Sequence, residues 1–172
     1  STQKAIGLLK NLNAPVLFVT GNHEKYVGIE KVTKSRTASN VRVLNNQSAD
    51  YGPIQIIGVD YSDNQSNLNQ IIQKMNIDNS KFCILMSHQP VELKTLSKTG
   101  VNLVLSGHTH SGQIFPFNYI VRLFYKPLSG LHKHNNIYQY VTSGTGTWGP
   151  RMRLGSRSEI VLVKIRKTHP PL

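Results

Sequence analysis

Histidine and asparagine side chains follow three separate apolar runs of this chain, close to the point where each run ends. The sequence TGNHE follows the first run, MSHQP the second and SGHTH the third. In open α/β sheets, ligands collect beyond the carboxyl ends of the strands. If the three runs are strands that lie side by side and point the same way, their polar ends meet. The side chains expected to converge are Asn22, His23, His88, His108 and His110.

The residue types in this group indicate a divalent transition metal. Neutral imidazole and an amide oxygen suit Mn, Fe or Zn, and the chain has no cysteine set for a structural zinc site. The group has no negative charge of its own, whereas two neighbouring ions need carboxylates, ideally one that bridges both. No aspartate is expected at a strand end in the manner of the histidines; the four are Asp50, Asp60, Asp63 and Asp78.

Each signal has an ordinary structural explanation when it is taken alone. A single histidine after a strand, such as His88, is more often a surface or core residue than a ligand, and Gly-Asn also forms common turns. His108 and His110 are separated by one residue, so on extended backbone both imidazoles would face one point. The recurrence of the same residue types at three strand ends favours a metal site over three unrelated turns.

The periodicity of the rest of the chain predicts the elements that position this group. Apolar residues at helical spacing predict helices over residues 3–13, over 66–76 with Ser66 as the cap, and over 91–100 closed by Gly100. Short apolar runs predict strands within residues 14–22, 81–90, 101–110, 138–149 and 158–166, and two strands around a turn at residues 50–53. Strands and helices alternate early and strands dominate late, which predicts a layered α/β protein.

The composition is that of a basic globular protein. With 172 residues, 38% hydrophobic and 16% charged, one domain over residues 1–172 is expected. Its 20 lysines and arginines against 8 aspartates and glutamates give a net charge of +12. This charge favours polyanionic partners, and because it is dispersed a solvated basic surface explains it equally well. The lone Cys83 excludes an intrachain disulfide and is expected to be a small buried hydrophobe.

With these motifs in hand, the sequence resembles the calcineurin-like metallophosphoesterase superfamily. The motifs that carry the resemblance are GNHE at residues 21–24, SH at 87–88 and GHTH at 107–110, in the order and spacing of the family's last three metal motifs. The longer SGHTHSGQIFP and SGTGTWGPRMRLGSRSEIVLVKI look like a narrower bacterial branch, often membrane-associated, with some members acting on nucleotide-linked lipid precursors. The resemblance implies a layered α/β/β/α sandwich and a metal-dependent hydrolase.

The resemblance also implies roles for individual residues. Asn22, His88 and His108 look like ligands of the second metal, and His110 like a ligand of the first. His23 is similar to the family histidine that contacts the phosphate and protonates the leaving oxygen. Glu24 occupies the position of the acid that orients that histidine. A histidine suits this proton transfer because its proton can be lost or gained near neutral pH.

The sequence departs from the family pattern upstream of GNHE. The family has an Asp-x-His and a Gly-Asp-x-x-Asp motif there, and residues 1–20 contain neither Asp nor His. The expectation is therefore the C-terminal portion of a longer protein, a sandwich incomplete at its N-terminus, with a naturally short form as the alternative. The complete domain would hold two divalent ions (Mn, Zn or Fe). This chain would hold at most one, weakly, and would hydrolyse phosphoesters poorly without the bridging carboxylate.

Three other segments carry possible contacts. The aromatic-rich segment from Phe115 to Leu131 follows the histidine motif and is expected to form a lip that meets a lipid tail or a membrane; ordinary packing beneath a loop is the alternative. Arg153 is the candidate for a phosphate contact, because arginine binds phosphate in bidentate fashion. Surface solvation is expected for Arg151 and Arg157. The second His-x-His pair, His132 and His134, is expected in a polar loop.

The leading functional hypothesis is a phosphoesterase that acts on a phosphomonoester, phosphodiester or pyrophosphate of a small molecule or lipid. A nuclease of the same superfamily is the first alternative. The net charge favours it, but the sequence lacks a clustered basic stripe with interleaved aromatic residues, so nucleic acid is disfavoured as a partner. A non-catalytic scaffold is the second alternative, which the retained histidines argue against. The expected location is cytoplasmic or membrane-associated, with any anchor lying upstream.

Overall fold

A computed structural model describes residues 12–27, 41–62 and 67–167. The helix predicted over residues 3–13 lies outside these ranges except at its last two residues, and so do Asp63 and the predicted cap Ser66. Among the described residues, no helix has the length and apolarity that a bilayer crossing requires.

A six-stranded mixed sheet forms most of the described structure. Its strands are β3 (Gln47–Tyr51), β4 (Ile54–Gly58), β5 (Phe82–Met86), β6 (Val101–Ser106), β7 (Gly130–His134) and β8 (Ile137–Val141), in the order β3-β4-β5-β6-β8-β7. The four central strands β4, β5, β6 and β8 run parallel, and each edge strand runs antiparallel to its neighbour. The carboxyl ends of the central strands therefore share one edge of the sheet, as the sequence predicts.

A smaller sheet pairs β1 (Val16–Phe18) with β2 (Val41–Val43) in parallel. It approaches the large sheet at Gly58, where a Cβ atom would lie 2.3 Å from Cβ of Leu44 and 2.8 Å from Cγ1 of Val19. Leu44 is fully buried, and its N–H donates to the carbonyl of Phe18 at 2.8 Å. Glycine at position 58 thus lets the two sheets pack closely, which places the end of β1 beside the ends of the central strands.

One face of the large sheet carries the main hydrophobic core. Apolar residues of β4, β5, β6 and β8 pack there against the short helix α2 (Leu68–Gln73) and the 3-10 helix Leu93–Leu96. Cys83 is fully buried in this cluster, and burial raises the pKa of its thiol to about 11, so the expectation of a small buried hydrophobe is confirmed. The other described helices are α1 (Asn22–Val27), α3 (Phe117–Phe124) and a 3-10 turn over His110–Gly112. The α/β fold class predicted from the sequence is confirmed.

The structure corrects three predicted elements. Residues 41–60 form three strands rather than two. The segment with His132 and His134 is strand β7, not a polar loop, because the two-residue turn at Asn135, which has a positive φ of 52°, pairs it with β8. Residues 158–166 form no strand: the Glu159 N–H donates to the Gly144 carbonyl at 3.0 Å, but among the described residues this bond is not continued into the ladder of paired residues that a strand needs.

Candidate metal centre

The candidate site is a cleft of about 400 Å³ at the carboxyl edge of the parallel strands. The hydrogen bonding of the sheet continues past the strand ends, since Ser87 N–H donates to the Leu105 carbonyl and Gly107 N–H to the His88 carbonyl, both at 3.0 Å. These bonds fix the backbone that carries His88 and His108. The cleft is lined by Asn22, His23, His88, His108, Thr109, His110, Val121, Tyr125, Trp148 and Gly149.

Three donor atoms converge in this cleft. Nε2 of His88 lies 2.9 Å from Oδ1 of Asn22 and 2.9 Å from Nδ1 of His108. Ligands about 2.1 Å from one ion in adjacent octahedral positions lie about 3.0 Å apart, so this spacing fits donors that share a cation. The described residues contain no cluster of three or more His, Cys, Asp or Glu side chains able to hold a metal. The donor set therefore depends on the Asn22 amide and carries no negative charge.

Tyr125 fixes the orientation of His108, a role that no sequence pattern predicts. The Tyr125 hydroxyl lies 2.9 Å from Nε2 of His108, on the side of the ring opposite to Nδ1. A proton on Nε2 that is donated to the hydroxyl leaves the lone pair on Nδ1 free to face His88 and Asn22. Such a partner behind a ligand histidine sets its tautomer and holds its ring in place.

Gly21 brings α1 against the ring of His88. A Cβ atom on Gly21 would lie 2.6 Å from both Cε1 and Nδ1 of His88, and no real Cβ atom approaches a ring so closely. The N–H of Gly21 donates to Oε2 of Glu24 at 2.9 Å, the reciprocal bond that stabilises a helix start. Glu24 thus caps α1, and its predicted role in orienting His23 stays a prediction.

Gly21→Ala is expected to weaken metal binding without removing a ligand. The new methyl group must displace the imidazole of His88 from Asn22 and His108, so we expect about a tenfold loss of affinity for Zn²⁺ or Mn²⁺, the effect of disturbing a ligand's support. Isothermal titration calorimetry measures it. Gly146→Ala is the control, because a Cβ at Gly146 meets open space. Equal affinities for the two variants would contradict the packing role of Gly21.

His110 faces Arg153 from within the same cleft. His108 and His110 have positive φ values of 70° and 49°, so they sit on left-handed rather than extended backbone, and the premise that they project to one side of a strand was wrong. Both rings still line the cleft. Nδ1 of His110 lies 3.4 Å from Nη2 of Arg153. Non-glycine residues in this region are rare and cluster at functional sites, which suits a turn shaped for ligands.

The site histidines favour the neutral form. Burial, followed by the nearby His108, His23 and His110, lowers the pKa of His88 to about 4. Burial is also the main cause that lowers the pKa of His108, and burial followed by the Arg153 guanidinium lowers the pKa of His110. Neutral imidazoles have the free lone pair that a metal requires.

These shifts predict that the metal-free protein loses stability on mild acidification. The unfolded His88, with its ordinary pKa of 6.5, binds a proton between pH 6.5 and 4, whereas the folded form resists it. The stabilisation is therefore complete above pH 6.5 and is lost as the pH falls towards 4. We expect about 2 kcal/mol, below the full value of the shift because His88 is only partly buried. Urea unfolding with a chelator at pH 7.5, 6 and 5 measures this loss of stability. If the free energy of unfolding of His88→Gln fell with pH as steeply as that of the parent chain, the prediction would be contradicted.

Arg153 holds the loop beyond β8 against the histidine turn. Nη1 donates to the His110 carbonyl at 3.0 Å, and Nη2 to the Ser143 carbonyl at 2.7 Å and to the Gly146 carbonyl. Nε is buried without a partner. The guanidinium is thus occupied by backbone oxygens, and its predicted contact with phosphate stays a prediction. Arg151 and Arg157 are exposed, as expected.

Gln113 and Asp60 are further site residues that sequence reasoning missed. Gln113 is fully buried; it donates to the Trp148 carbonyl at 2.8 Å and accepts from the Trp148 N–H at 2.8 Å, which holds Trp148 at the cleft. Asp60 follows β4 just as the histidines follow their strands, and the expectation that no aspartate does so was wrong. Its carboxylate accepts a hydrogen bond from the Thr20 hydroxyl, and it lines a small cavity together with His88. The signal was the run IQIIGVD, which ends in this aspartate.

The structure thus brings Asn22, His88 and His108 together, places His23 and His110 in the same cleft and sets Glu24 and Arg153 beside it. The structure leaves their chemical roles as predictions.

The chain is similar to known proteins of one family. The family model described as calcineurin-like phosphoesterase matches residues 1–112. A protein of Helicobacter pylori (strain J99) named "Uncharacterized metallophosphoesterase" is 38% identical over 167 residues, 91% of this chain and 45% of that protein. A protein of the same name from Aquifex aeolicus is 35% identical over 92% of this chain and 64% of its own length.

An animal protein is also similar. "Transmembrane protein with metallophosphoesterase domain" from Bos taurus is 34% identical over 83% of this chain and 37% of its own length. No solved structure gives a significant match. The chain spans less than half the length of the Helicobacter and Bos taurus relatives.

Proposed function

This chain belongs to the calcineurin-like phosphoesterase family, and from that premise we propose that it carries the histidine-rich half of a metal-dependent phosphoesterase site. The observation that carries the proposal is the convergence of Asn22, His88 and His108 within 2.9 Å contacts, in a cleft that an exposed His23 also lines. Family membership makes the domain a hydrolase of phosphoester bonds in general terms. The metal, its number and the substrate are the finer proposal.

The three converging residues would hold one divalent cation, Mn, Zn or Fe. When bound, the cation lowers the pKa of its water and neutralises charge on phosphoryl oxygens. The chain's own residues provide a neutral and rigid donor set: the lowered pKa values of His88 and His108 keep their lone pairs free at neutral pH, and Tyr125 holds the His108 ring.

His23 is the proposed proton donor to the leaving oxygen. Its side chain is exposed, lines the cleft and directly follows Asn22 in the first turn of α1. The Gly21–Glu24 hydrogen bond fixes that turn and so presents the imidazole to the cleft. Histidine is the side chain best suited to proton transfer near neutral pH.

One ion, weakly held, is proposed for this chain, and two for a complete domain with upstream carboxylates. The donor set described here has no carboxylate, and a bridging carboxylate is what stabilises two ions side by side. His110 would serve the other ion, the one that the family pattern counts as the first. Hydrolysis by this chain alone is therefore proposed to be slow.

The proposed substrate is a phosphorylated small molecule or lipid with a phosphoester, phosphodiester or pyrophosphate bond. A cleft of about 400 Å³ accommodates a phosphate with part of its substituent. The apolar side chains of Val121 and Trp148 in its lining suit an apolar substituent. A bacterial source is proposed from the Helicobacter and Aquifex relatives. A cytoplasmic or membrane-associated location is proposed as well, and the name of the Bos taurus relative supports the membrane.

A nuclease is the second candidate, because the net charge of +12 suits a polyanionic substrate. The cleft lining argues against it, since none of its residues is a lysine or arginine that could follow a phosphate backbone. A non-catalytic scaffold has no use for neutral histidines in an open cleft, so it is the weakest of the three.

Metal titration combined with a hydrolysis assay tests the proposal. We expect one Zn²⁺ or Mn²⁺ per chain by calorimetry, and slow, metal-dependent hydrolysis of bis-p-nitrophenyl phosphate that exceeds cleavage of single-stranded DNA. Failure to bind either metal would contradict the proposed centre. Turnover typical of a complete enzyme, about 10 per second, would contradict the single-ion site, and preferred cleavage of DNA would favour the nuclease.

A further inference from the structure

Helix α3 (Phe117–Phe124) presents its large apolar side chains to solvent. None of its eight residues is buried; Leu123 and Phe124 are 75% and 77% exposed, and Phe117 and Ile120 are more than half exposed. A helix this short is marginal in water without packing of its apolar face. Gly112 seats its first turn, since a Cβ there would lie 2.4 Å from Cα of Asn118. Among the described residues, no apolar surface therefore covers the outward face of α3.

The segment of the sequence that contains this helix has basic residues and no acidic ones. Between residues 93 and 158 there is no aspartate or glutamate, and the segment carries eight basic residues: Lys94, Lys98, Arg122, Lys126, Lys133, Arg151, Arg153 and Arg157. All eight acidic residues of the chain lie outside this segment. The partner of the α3 face is therefore expected to be anionic as well as apolar.

A cavity of about 270 Å³ adjoins α3 and the turn that follows it. Arg122, Lys126 and His132 contribute to its lining, which contains no carboxylate. His132 is fixed by a 2.8 Å contact between its Nε2 and the carbonyl of Ser129. A concave surface with two cations beside exposed aromatic and aliphatic side chains matches the two layers of a bilayer surface, phosphate headgroups above and acyl chains below.

We propose that residues 115–132 form a docking surface for an anionic lipid bilayer. Phe117, Leu123 and Phe124 enter the acyl boundary, and Arg122 and Lys126 bind headgroup phosphates. A single-stranded nucleic acid fits less well, because bases stack on aromatic rings and gain little from Leu123 and Ile120. Tyr125 lines both this cavity and the metal cleft, so docking would set the cleft at the membrane surface. The inference does not depend on the proposed hydrolysis.

Vesicle flotation of the chain in chelator-containing buffer tests the surface separately from the metal centre. We expect binding to phosphatidylcholine vesicles with 30% phosphatidylglycerol, and at least about tenfold weaker binding to pure phosphatidylcholine. The variant Phe117→Ser/Leu123→Ser/Phe124→Ser is expected to lose at least about tenfold in partition coefficient. Arg122→Gln/Lys126→Gln is expected to lose about tenfold, and only on anionic vesicles.

Matched control variants remove apolar side chains and lysine charges outside the docking surface. Ile160→Ser/Leu162→Ser removes two side chains that are 91% and 79% exposed, and Lys94→Gln/Lys98→Gln removes two exposed charges; both are expected to bind like the parent chain. Circular dichroism checks that every variant is folded. The proposal is overturned if the parent chain does not float, if it binds neutral and anionic vesicles equally, or if the controls lose as much as the α3 variants. Self-association or DNA binding abolished by the α3 variants, without vesicle binding, would also overturn it.

Discussion

Replacing His88 with alanine is expected to lower the affinity of this chain for Zn²⁺ or Mn²⁺ by at least about a hundredfold. His88 is the central donor: its Nε2 lies 2.9 Å from both Oδ1 of Asn22 and Nδ1 of His108, so its loss leaves two donors without the atom that links them. Disturbing a residue behind a metal ligand already reduces affinity about 10- to 100-fold, and removal of a ligand should exceed that. Isothermal titration calorimetry at pH 7.5 measures the change.

His134→Ala provides the control for this experiment. His134 lies in the edge strand β7 and pairs with Ile137, outside the cleft, so its removal should leave metal affinity unchanged. Metal affinity is expected to be highest in the parent chain, lower in Gly21→Ala and lowest in His88→Ala. Equal loss in His134→Ala would mean that the metal binds histidines at random, and an unchanged affinity in His88→Ala would rule out this centre.

The convergence of the strand ends could be predicted because it follows from local pattern and general geometry. Apolar runs that end in small residues predict strands, and parallel neighbours place their carboxyl ends at one edge. His88 and His108 meet for this reason, just beyond the ends of strands β5 and β6, which pair directly. The match of the family model confirms the family, and the observed sheets confirm the α/β class.

The wrongly predicted elements depend on pairing with distant segments of the chain rather than on local sequence pattern. Strand β7 has polar residues at most positions and becomes a strand because β8 pairs with it. Residues 158–166 have the alternation of a strand, but in the described part of the chain the bond from Glu159 to Gly144 is not extended into a ladder of paired residues. The roles of Tyr125 and Gln113 rest on hydrogen bonds to His108 and Trp148, which are 17 and 35 positions away in the sequence. Spacing rules for helices and strands do not predict contacts at such separations. The left-handed backbone at His108 likewise reflects the turn as a whole.

Replacing Arg153 with alanine is expected to destabilise the protein by about 3 kcal/mol. The guanidinium joins the carbonyls of His110, Ser143 and Gly146, so its removal leaves several backbone oxygens without a donor. Hydrogen bonds to a charged group each contribute about 1.5–3 kcal/mol, and partial compensation by water keeps the total near 3 kcal/mol. Urea unfolding at neutral pH, with metal absent, measures the loss.

Arg151→Ala separates this structural role from a general effect of charge. Arg151 has the same side chain two positions away but is exposed, so its removal should change stability by less than about 0.5 kcal/mol. Arg153→Lys should recover only part of the loss, because one ammonium group cannot reach carbonyls on both sides of the loop. If Arg153→Ala were as stable as Arg151→Ala and bound phosphate more weakly, the role of Arg153 in holding the loop beyond β8 would be refuted. Arg153 would then be a substrate-binding residue, as its place in the sequence first indicated.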